Sequence, residues 1–131
     1  MSAGVVVRLE RDDPPELAEQ LTRPPSPQAR VFVARDRASD WPLGVVHLEQ
    51  GPDDFAELTD LLVLPNARRV GVARRLVAAA EAYARVQGVV TLRFRMEPGT
   101  GSVARALGFT EIDAFGFHVG DETGVYFAKA L

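Results

Sequence analysis

Residues 61–76 read Leu-Leu-Val-Leu-Pro-Asn-Ala-Arg-Arg-Val-Gly-Val-Ala-Arg-Arg-Leu, an apolar run that passes through a proline into an arginine-rich glycine turn. The run from Leu61 to Leu64 is typical of a strand that is buried on both faces. Pro65 ends that strand because proline has no backbone N–H to donate. The stretch therefore predicts a strand, a break and then a turn at Gly71.

The sequence after the turn predicts a helix from Val72 to Gln87, with Gly88 as its C-terminal stop. Its apolar residues recur with the helical period and should face the core: Val72, Leu76, Ala79, Ala80, Tyr83 and Val86. Its charged residues should face away from the core: Arg74, Arg75, Glu81 and Arg85.

The first turn of this helix is a predicted anion site. Its backbone N–H groups have no partner within the helix and carry a partial positive charge, so they attract a phosphate. Gly71 and Ala73 leave room for one, and arginines flank the turn at Arg68, Arg69, Arg74 and Arg75. No Lys-Ser/Thr follows the glycine as in a P-loop, and no full G-x-G-x-x-G is present. A polyanion held in another kind of loop is therefore expected.

The motif Arg68-x-x-Gly71-x-Ala73, preceded by Val63-x-Pro65, resembles the pyrophosphate-binding motif Q/R-x-x-G-x-G/A of the GNAT superfamily of acyl-CoA-dependent N-acetyltransferases. Leu107-Gly108-Phe109 matches the "L-G-F" that ends the family's next helix, and the resemblance extends from about Glu57 to the C-terminus. It implies acetyl-CoA as co-substrate and an amine acceptor that the sequence does not identify. The alternative is an ordinary strand-to-helix turn whose glycine relieves crowding. The cofactor-binding residues that the resemblance implies are Leu61, Leu62, Val63, Arg68, Arg69, Val70, Gly71, Val72, Ala73 and Arg74.

The element order predicted along the chain is β-α-β-β-β-α-β-α-β-β. It places the protein in the α/β (α+β) class, as a single domain over residues 1–131. We expect a central mixed, mostly antiparallel twisted sheet of six to seven strands flanked by helices. Arg30–Arg35 and Leu43–Glu49 should form an antiparallel hairpin, and Phe109–Val119 with Val125–Ala130 a second one. The resemblance implies that the fourth and fifth strands splay apart to admit the cofactor.

Composition excludes several classes of function. The chain contains no cysteine, which removes disulfide scaffolds and a covalent acyl-cysteine mechanism. Its net charge of −3 disfavours a nucleic-acid partner, and no apolar run approaches a membrane span, so a cytoplasmic location is expected. His47 and His118 lack a second ligand at metal spacing; we expect no metal, and both are interpreted as structural or pocket-lining.

An amine attacks a thioester only as the free base, so the reaction needs a proton acceptor. Glu57 stands eleven residues before Arg68, where some members of the family carry their catalytic glutamate. Glu57 is therefore the predicted base, with Glu49, Asp60 or water as alternatives. Asp60 is expected either to point toward a substrate pocket or to pair with an arginine such as Arg93 or Arg95. The resemblance assigns the oxyanion donor to the backbone N–H of Leu62 or Val63.

One position departs from the family pattern. The tyrosine that protonates the departing thiolate in many GNAT enzymes, four residues before the glycine of "G-F", is replaced by Ala104. Of the two tyrosines, Tyr83 is predicted in the helix core and Tyr126 is a substitute candidate. The departure allows a slow or vestigial enzyme, or a non-catalytic acyl-CoA-binding module that senses or regulates. A homodimer paired through a C-terminal edge strand is one expected assembly.

Overall fold

The structure, a computed structural model of the 131-residue chain, describes residues 4–21, 26–51, 54–67, 71–96, 101–113 and 124–131. Its helices are α1 (Pro15–Ala18), α2 (Val72–Val86) and α3 (Gly101–Ala106). Its strands are β1 (Val5–Glu10), β2 (Arg30–Asp36), β3 (Pro42–Gln50), β4 (Phe55–Val63), β5 (Thr91–Met96), β6 (Thr110–Ile112) and β7 (Val125–Ala130). A 3-10 turn (Pro65–Ala67) follows β4.

The strands form one seven-stranded sheet in the order β1-β2-β3-β4-β5-β7-β6. Every neighbouring pair is antiparallel except β4 and β5, which run parallel across the α2 crossover. The predicted class, the mixed sheet and the β2–β3 hairpin are confirmed. The α1 helix has four residues, begins directly after Pro14 and buries Leu17. The last hairpin is confirmed where β6 meets β7, while its predicted turn, and His118, lie outside the described residues.

Each face of the sheet has its own apolar core. On one face α2 packs across β1 to β4, and its Val72, Leu76 and Val77 are buried with the inward residues of those strands. On the other face, a smaller cluster joins Leu17 of α1 to Val45 of β3 and its neighbours on β2. Alternate residues of β3 and β4 therefore face either α2 or α1.

The predicted orientation of two α2 residues is wrong. Glu81 is only 7% exposed and lies among the inward residues, whereas Val86 is 82% exposed. Glu81 can face inward because Lys129 on β7 reaches it, with its Nζ 2.8 Å from Glu81 Oε1 and 3.1 Å from the carbonyl oxygen of Leu107. The chain's one lysine thus joins α2, β7 and the end of α3.

We expect Lys129→Met to lower the free energy of unfolding by about 2 kcal/mol, because it leaves the buried Glu81 carboxylate with only the more distant and exposed Arg85, whose guanidinium is 3.9 Å away. The value is below that of a fully buried pair, since the Lys129 side chain is 28% exposed. Urea unfolding followed by circular dichroism measures the change. Glu111→Gln is the matched control: it breaks the exposed Arg105–Glu111 pair and should cost under about 1 kcal/mol. Equal losses in both variants would contradict the role assigned to Lys129.

Candidate functional site

The β4 and β5 strands separate part of the way along their length. They pair from Phe55–Thr91 to Leu58–Phe94 and no further, although β4 continues to Val63 and β5 to Met96. The splaying that the resemblance implied is thus present. The prediction that Leu61 to Leu64 are buried on both faces is wrong, because only Val63 of these four residues is buried and the other three are half-buried. The separation of the two strands accounts for this exposure.

A β-bulge lies where the two strands separate. His47 of β3 is opposite Asp60, whereas the next residue, Leu48, is opposite Leu58, so β4 carries Thr59 as an extra residue. A bulge bends the strand and increases its local twist, which turns the second half of β4 away from β5. Neither glycine nor proline is present within β4, so the sequence contains no local signal of the bulge.

The backbone pairing beyond the bulge gives the direction of each β4 amide. The N–H of Leu64 donates to the carbonyl oxygen of Leu43 on β3 at 2.9 Å. Hydrogen-bonded and non-hydrogen-bonded pairs alternate along an antiparallel ladder, so Leu62 also faces β3, while the amides of Leu61 and Val63 face the β5 side. The gap between the strands is thus lined by alternate backbone groups of β4.

Gly71 forms the turn at the N-terminus of α2. Its φ of +76° is left-handed, and a Cβ added there would meet no atom of the described residues within 4 Å. The residue is exposed, as is Arg74, while Ala73 is half-buried and Val72 is buried beneath the turn. The predicted glycine turn is confirmed, and the space above it is open for a ligand of the helix N-terminus.

Gly44 on β3 holds the first turns of α2 against the end of β4, a role that the sequence did not reveal. A Cβ at this position would lie 2.8 Å from the carbonyl oxygen of Leu62 and 3.2 Å from a methyl carbon of Val72. Only glycine permits this approach, which brings the N-terminal end of α2 beside the strand gap. An isolated glycine inside a strand pattern was the available signal.

The predicted cations differ in direction. Arg75 extends away from the turn, with its guanidinium 3.1 Å from the carbonyl oxygen of Val5 on β1. Arg74 is exposed and donates to the carbonyl oxygen of Ala106 at 3.3 Å, at the end of α3. Three further predicted ligands, Arg68, Arg69 and Val70, lie outside the described residues.

The bulge places the candidate bases on the same face of the sheet. Glu57 lies opposite Glu49 on β3 and opposite Arg93 on β5, so these three residues form a row across the sheet. Asp60 lies opposite His47, two residues from Glu49, and therefore shares that face. This is the α1 face, since Ala56 and Leu58 belong to the cluster under α2. Glu49 is partly engaged, because Ser26 Oγ donates to its Oε1 at 2.6 Å.

Asp60 lies beside a histidine, a contact that the sequence did not predict. Its Oδ2 is 3.5 Å from Nδ1 of His47, and Nε2 of the same ring is 2.6 Å from Oδ1 of Asp13. Burial lowers the pKa of His47, but the hydrogen bonds and charges of Asp60 and Asp13 outweigh it, and the pKa is raised overall. The interpretation of His47 as a structural residue agrees with its side-chain exposure of 1%.

The position of the missing tyrosine is part of the core. Ala104 of α3 is fully buried in the cluster under α2. Tyr83 is half-buried on α2, where its hydroxyl accepts a hydrogen bond from Arg30 Nε at 3.0 Å and its ring meets Phe32 edge-on. Tyr126 is buried on β7 opposite Arg95, on the face that carries Glu57. Tyr126 therefore remains the tyrosine candidate for protonating a leaving group.

Two small depressions of the described surface lie away from the gap. One of about 70 Å³ lies at the end of α2 beside Tyr83 and Arg30, and a more open one of about 240 Å³ lies beside Phe55 and Arg93. Within the described ranges, no three His, Asp or Glu side chains are grouped as a metal site. In the same part of the chain, no helix has the length and apolar character needed to cross a membrane.

The fold is similar to that of solved acetyltransferases. The IAA acetyltransferase of Bacillus cereus gives a TM-score of 0.77 at 18% identity, with 97% of this chain and 99% of that chain covered. A GNAT family acetyltransferase of Elizabethkingia anophelis, with acetyl-CoA bound, gives 0.74 at 12% identity, covering 98% and 99%. A Bacillus subtilis acetyltransferase in complex with CoA gives 0.72 at 16% identity, covering 97% and 99%. At these identities the likeness shows a shared fold.

Sequence comparison supplies the family. The model of the Acetyltransferase (GNAT) family matches residues 6–126, so the chain belongs to this family. Comparison with curated protein sequences gave no match. Family membership makes acyl transfer from an acyl-CoA the general class of chemistry, and the acceptor is not specified by it.

Proposed function

We propose that this protein transfers an acetyl group from acetyl-CoA to a primary amine of a small molecule or protein by direct attack. The observation that carries the proposal is the opening of β4 from β5 after Leu58, directly beside the left-handed Gly71 turn of α2. One feature offers backbone hydrogen bonds to an extended arm, and the other offers an open helix N-terminus to a pyrophosphate.

Binding of the pyrophosphate is assigned to the motif turn. The amides of Gly71, Val72 and Ala73 supply donors at the helix N-terminus. Arg68, Arg69 and Val70 are proposed ligands from the motif alone, and Arg74 would have to turn from its contact with Ala106 to join them. Arg75 is not assigned to the pyrophosphate, because its guanidinium donates to the carbonyl oxygen of Val5 on β1.

The pantetheine arm and the thioester are assigned to β4. The amides of Leu61 and Val63 face the β5 side, whereas that of Leu62 faces β3. We therefore propose the amide of Leu61, the first beyond the bulge that faces the gap, for the oxyanion, in place of the Leu62 or Val63 that the resemblance implied, and Val63 for the arm. A backbone N–H aimed at the carbonyl oxygen stabilises the negative charge that develops there during attack.

The amine nitrogen attacks the thioester carbonyl carbon, the C–S bond breaks, and CoA leaves as the thiolate. The proton lost by the amine goes to Glu57, directly or through water, and we assign the acceptor to the α1 face of the sheet, where Glu57 lies in the row with Glu49 and Arg93. The thiolate takes its proton from water or from the phenol of Tyr126, because the methyl group of Ala104 has none to give.

The alternative is a binding module that holds acyl-CoA without consuming it. Ala104 favours this alternative, since its methyl group cannot supply the proton that a tyrosine gives to the leaving thiolate in many GNAT enzymes. Isothermal titration with acetyl-CoA, followed by a thiol-release assay with alkylamines, amino acids and peptides, separates the two. Binding with thiol release supports the enzyme, and binding without release for every amine supports the module. Failure to bind acetyl-CoA would overturn both.

A further inference from the structure

Three ionisable side chains meet beneath α1, from three separate parts of the chain. His47 comes from the middle of β3, Asp60 from β4 just after the bulge, and Asp13 from the segment between β1 and α1. Their side chains are 1%, 12% and 7% exposed, respectively. Each ring nitrogen of His47 has a carboxylate oxygen as its neighbour, at 2.6 Å for Asp13 and 3.5 Å for Asp60.

This arrangement requires a proton on both ring nitrogens or on one of the carboxyl groups. A neutral imidazole has one N–H, so its other nitrogen would present a lone pair to an ionised carboxylate. A doubly protonated ring donates to Asp13 at 2.6 Å, turns its second N–H toward the buried Oδ2 of Asp60 at 3.5 Å, and neutralises one of the two negative charges. The charges of the two carboxylates favour this form, and the pKa of His47 is accordingly raised despite its burial.

The cluster lies at the point where β4 changes direction. Asp60 follows the extra residue Thr59 and precedes Leu61, whose amide faces the strand gap. His47 faces Asp60 through the strand register and also meets its carboxylate, so it fixes β4 immediately beyond the bulge.

We propose that His47, held as an imidazolium between Asp13 and Asp60, is a positioning residue that fixes the bulged part of β4 and so aims the Leu61 amide at the reacting carbonyl. The role rests on the proposed acetyl transfer. It differs from that of Glu57, because His47 is enclosed under α1 and acts through Asp60 without touching substrate.

The proposal predicts a pH dependence with a definite sign. A raised pKa means that the charged ring stabilises the fold fully below about pH 6.5, its ordinary value, and that this contribution is lost as pH rises through the raised value. Of the described groups, those facing the ring with a charge are Asp13 and Asp60; β2 presents Val31, which is uncharged. Replacing either carboxylate by its amide should therefore move the titration of His47 to lower pH.

Ring nitrogen NMR of the whole protein tests the charge directly. The chain has two histidines, and His47→Gln assigns the signals. We expect the His47 ring to titrate above free imidazole, and both Asp13→Asn and Asp60→Asn to shift its midpoint downward. Asp12→Asn is the matched control, an exposed carboxylate next in sequence to Asp13. A midpoint at or below that of free imidazole, or one unmoved by Asp13→Asn and Asp60→Asn, would overturn the proposal.

Kinetics with acetyl-CoA and the best acceptor of the amine panel test the positioning role. His47→Gln and Asp60→Asn should lower kcat about tenfold, because the oxyanion donor acts in the transition state. Their Kd for acetyl-CoA should stay within about twofold of the parent value. As pH is raised, kcat of Asp13→Asn should begin to fall at a lower pH than kcat of the parent does. If the parent binds acetyl-CoA and transfers the acetyl group, but the variants keep its kcat, the positioning role alone is refuted. A parent that does not bind acetyl-CoA would refute the proposed function as well.

Discussion

Gly71→Glu is expected to weaken acetyl-CoA binding by at least about 100-fold. The open space above Gly71 would receive a carboxylate, which would occupy the helix N-terminus and repel the pyrophosphate. Losing two charge-assisted hydrogen bonds of about 1.5 kcal/mol each is sufficient for a change of that size. Isothermal titration of the parent and of the variant measures it.

The same helix supplies a matched control for this experiment. Gly88 follows the other end of α2 with a φ of +87°, against +76° for Gly71, and within the described part of the chain a Cβ at either position meets no atom within 4 Å. Gly88→Glu therefore carries the same left-handed backbone strain but places its carboxylate at the C-terminal end. The helix dipole makes that end the less favourable one for a negative charge, so lost stability cannot explain a selective effect at Gly71. Equal binding losses in both variants would contradict the phosphate site.

The elements around the cofactor site were predictable because their signals are local. Pro65 and Gly71 interrupt the chain between a strand and a helix, and the spacing of Val72 and Leu76 is visible in one window of sequence. The glycine turn followed from the motif in that window, where the physical cause lies within about fifteen residues of its effect, the length of α2. The splayed strands were implied by the family resemblance that the motif carries.

Other features depend on residues that are distant in sequence. The pairing of Glu81 with Lys129 reverses the expected direction of a charged side chain, and it joins residues 48 positions apart. His47 and Asp13 are 34 positions apart. The bulge at Thr59 has no local signature, although it decides that Glu57 and Asp60 share one face. Strict alternation would have placed those two carboxylates on opposite faces of the sheet.

The second large effect is expected from Glu57→Gln, with a fall in kcat of about 100-fold or more and no change in the Kd for acetyl-CoA. Glutamine keeps the size and hydrogen-bonding groups of glutamate but cannot accept the proton of the amine. Glu49→Gln is the matched control, since Glu49 lies directly opposite Glu57 in the same row. We expect that control to retain kcat within about threefold. A selective loss in Glu49→Gln would transfer the role of base to Glu49, and a loss in neither would leave Asp60 or water as the proton acceptor.

The choice of acceptor separates a base from a binding carboxylate. An alkylamine is almost wholly protonated at neutral pH and must lose a proton before it can attack, whereas hydroxylamine is already largely unprotonated. If Glu57 removes that proton, the loss caused by Glu57→Gln should shrink by about tenfold when hydroxylamine replaces the alkylamine. If Glu57 holds the ammonium group of the acceptor, KM for the alkylamine should rise instead while kcat is retained. The pattern of kcat and KM across the two acceptors therefore identifies the chemical role of Glu57.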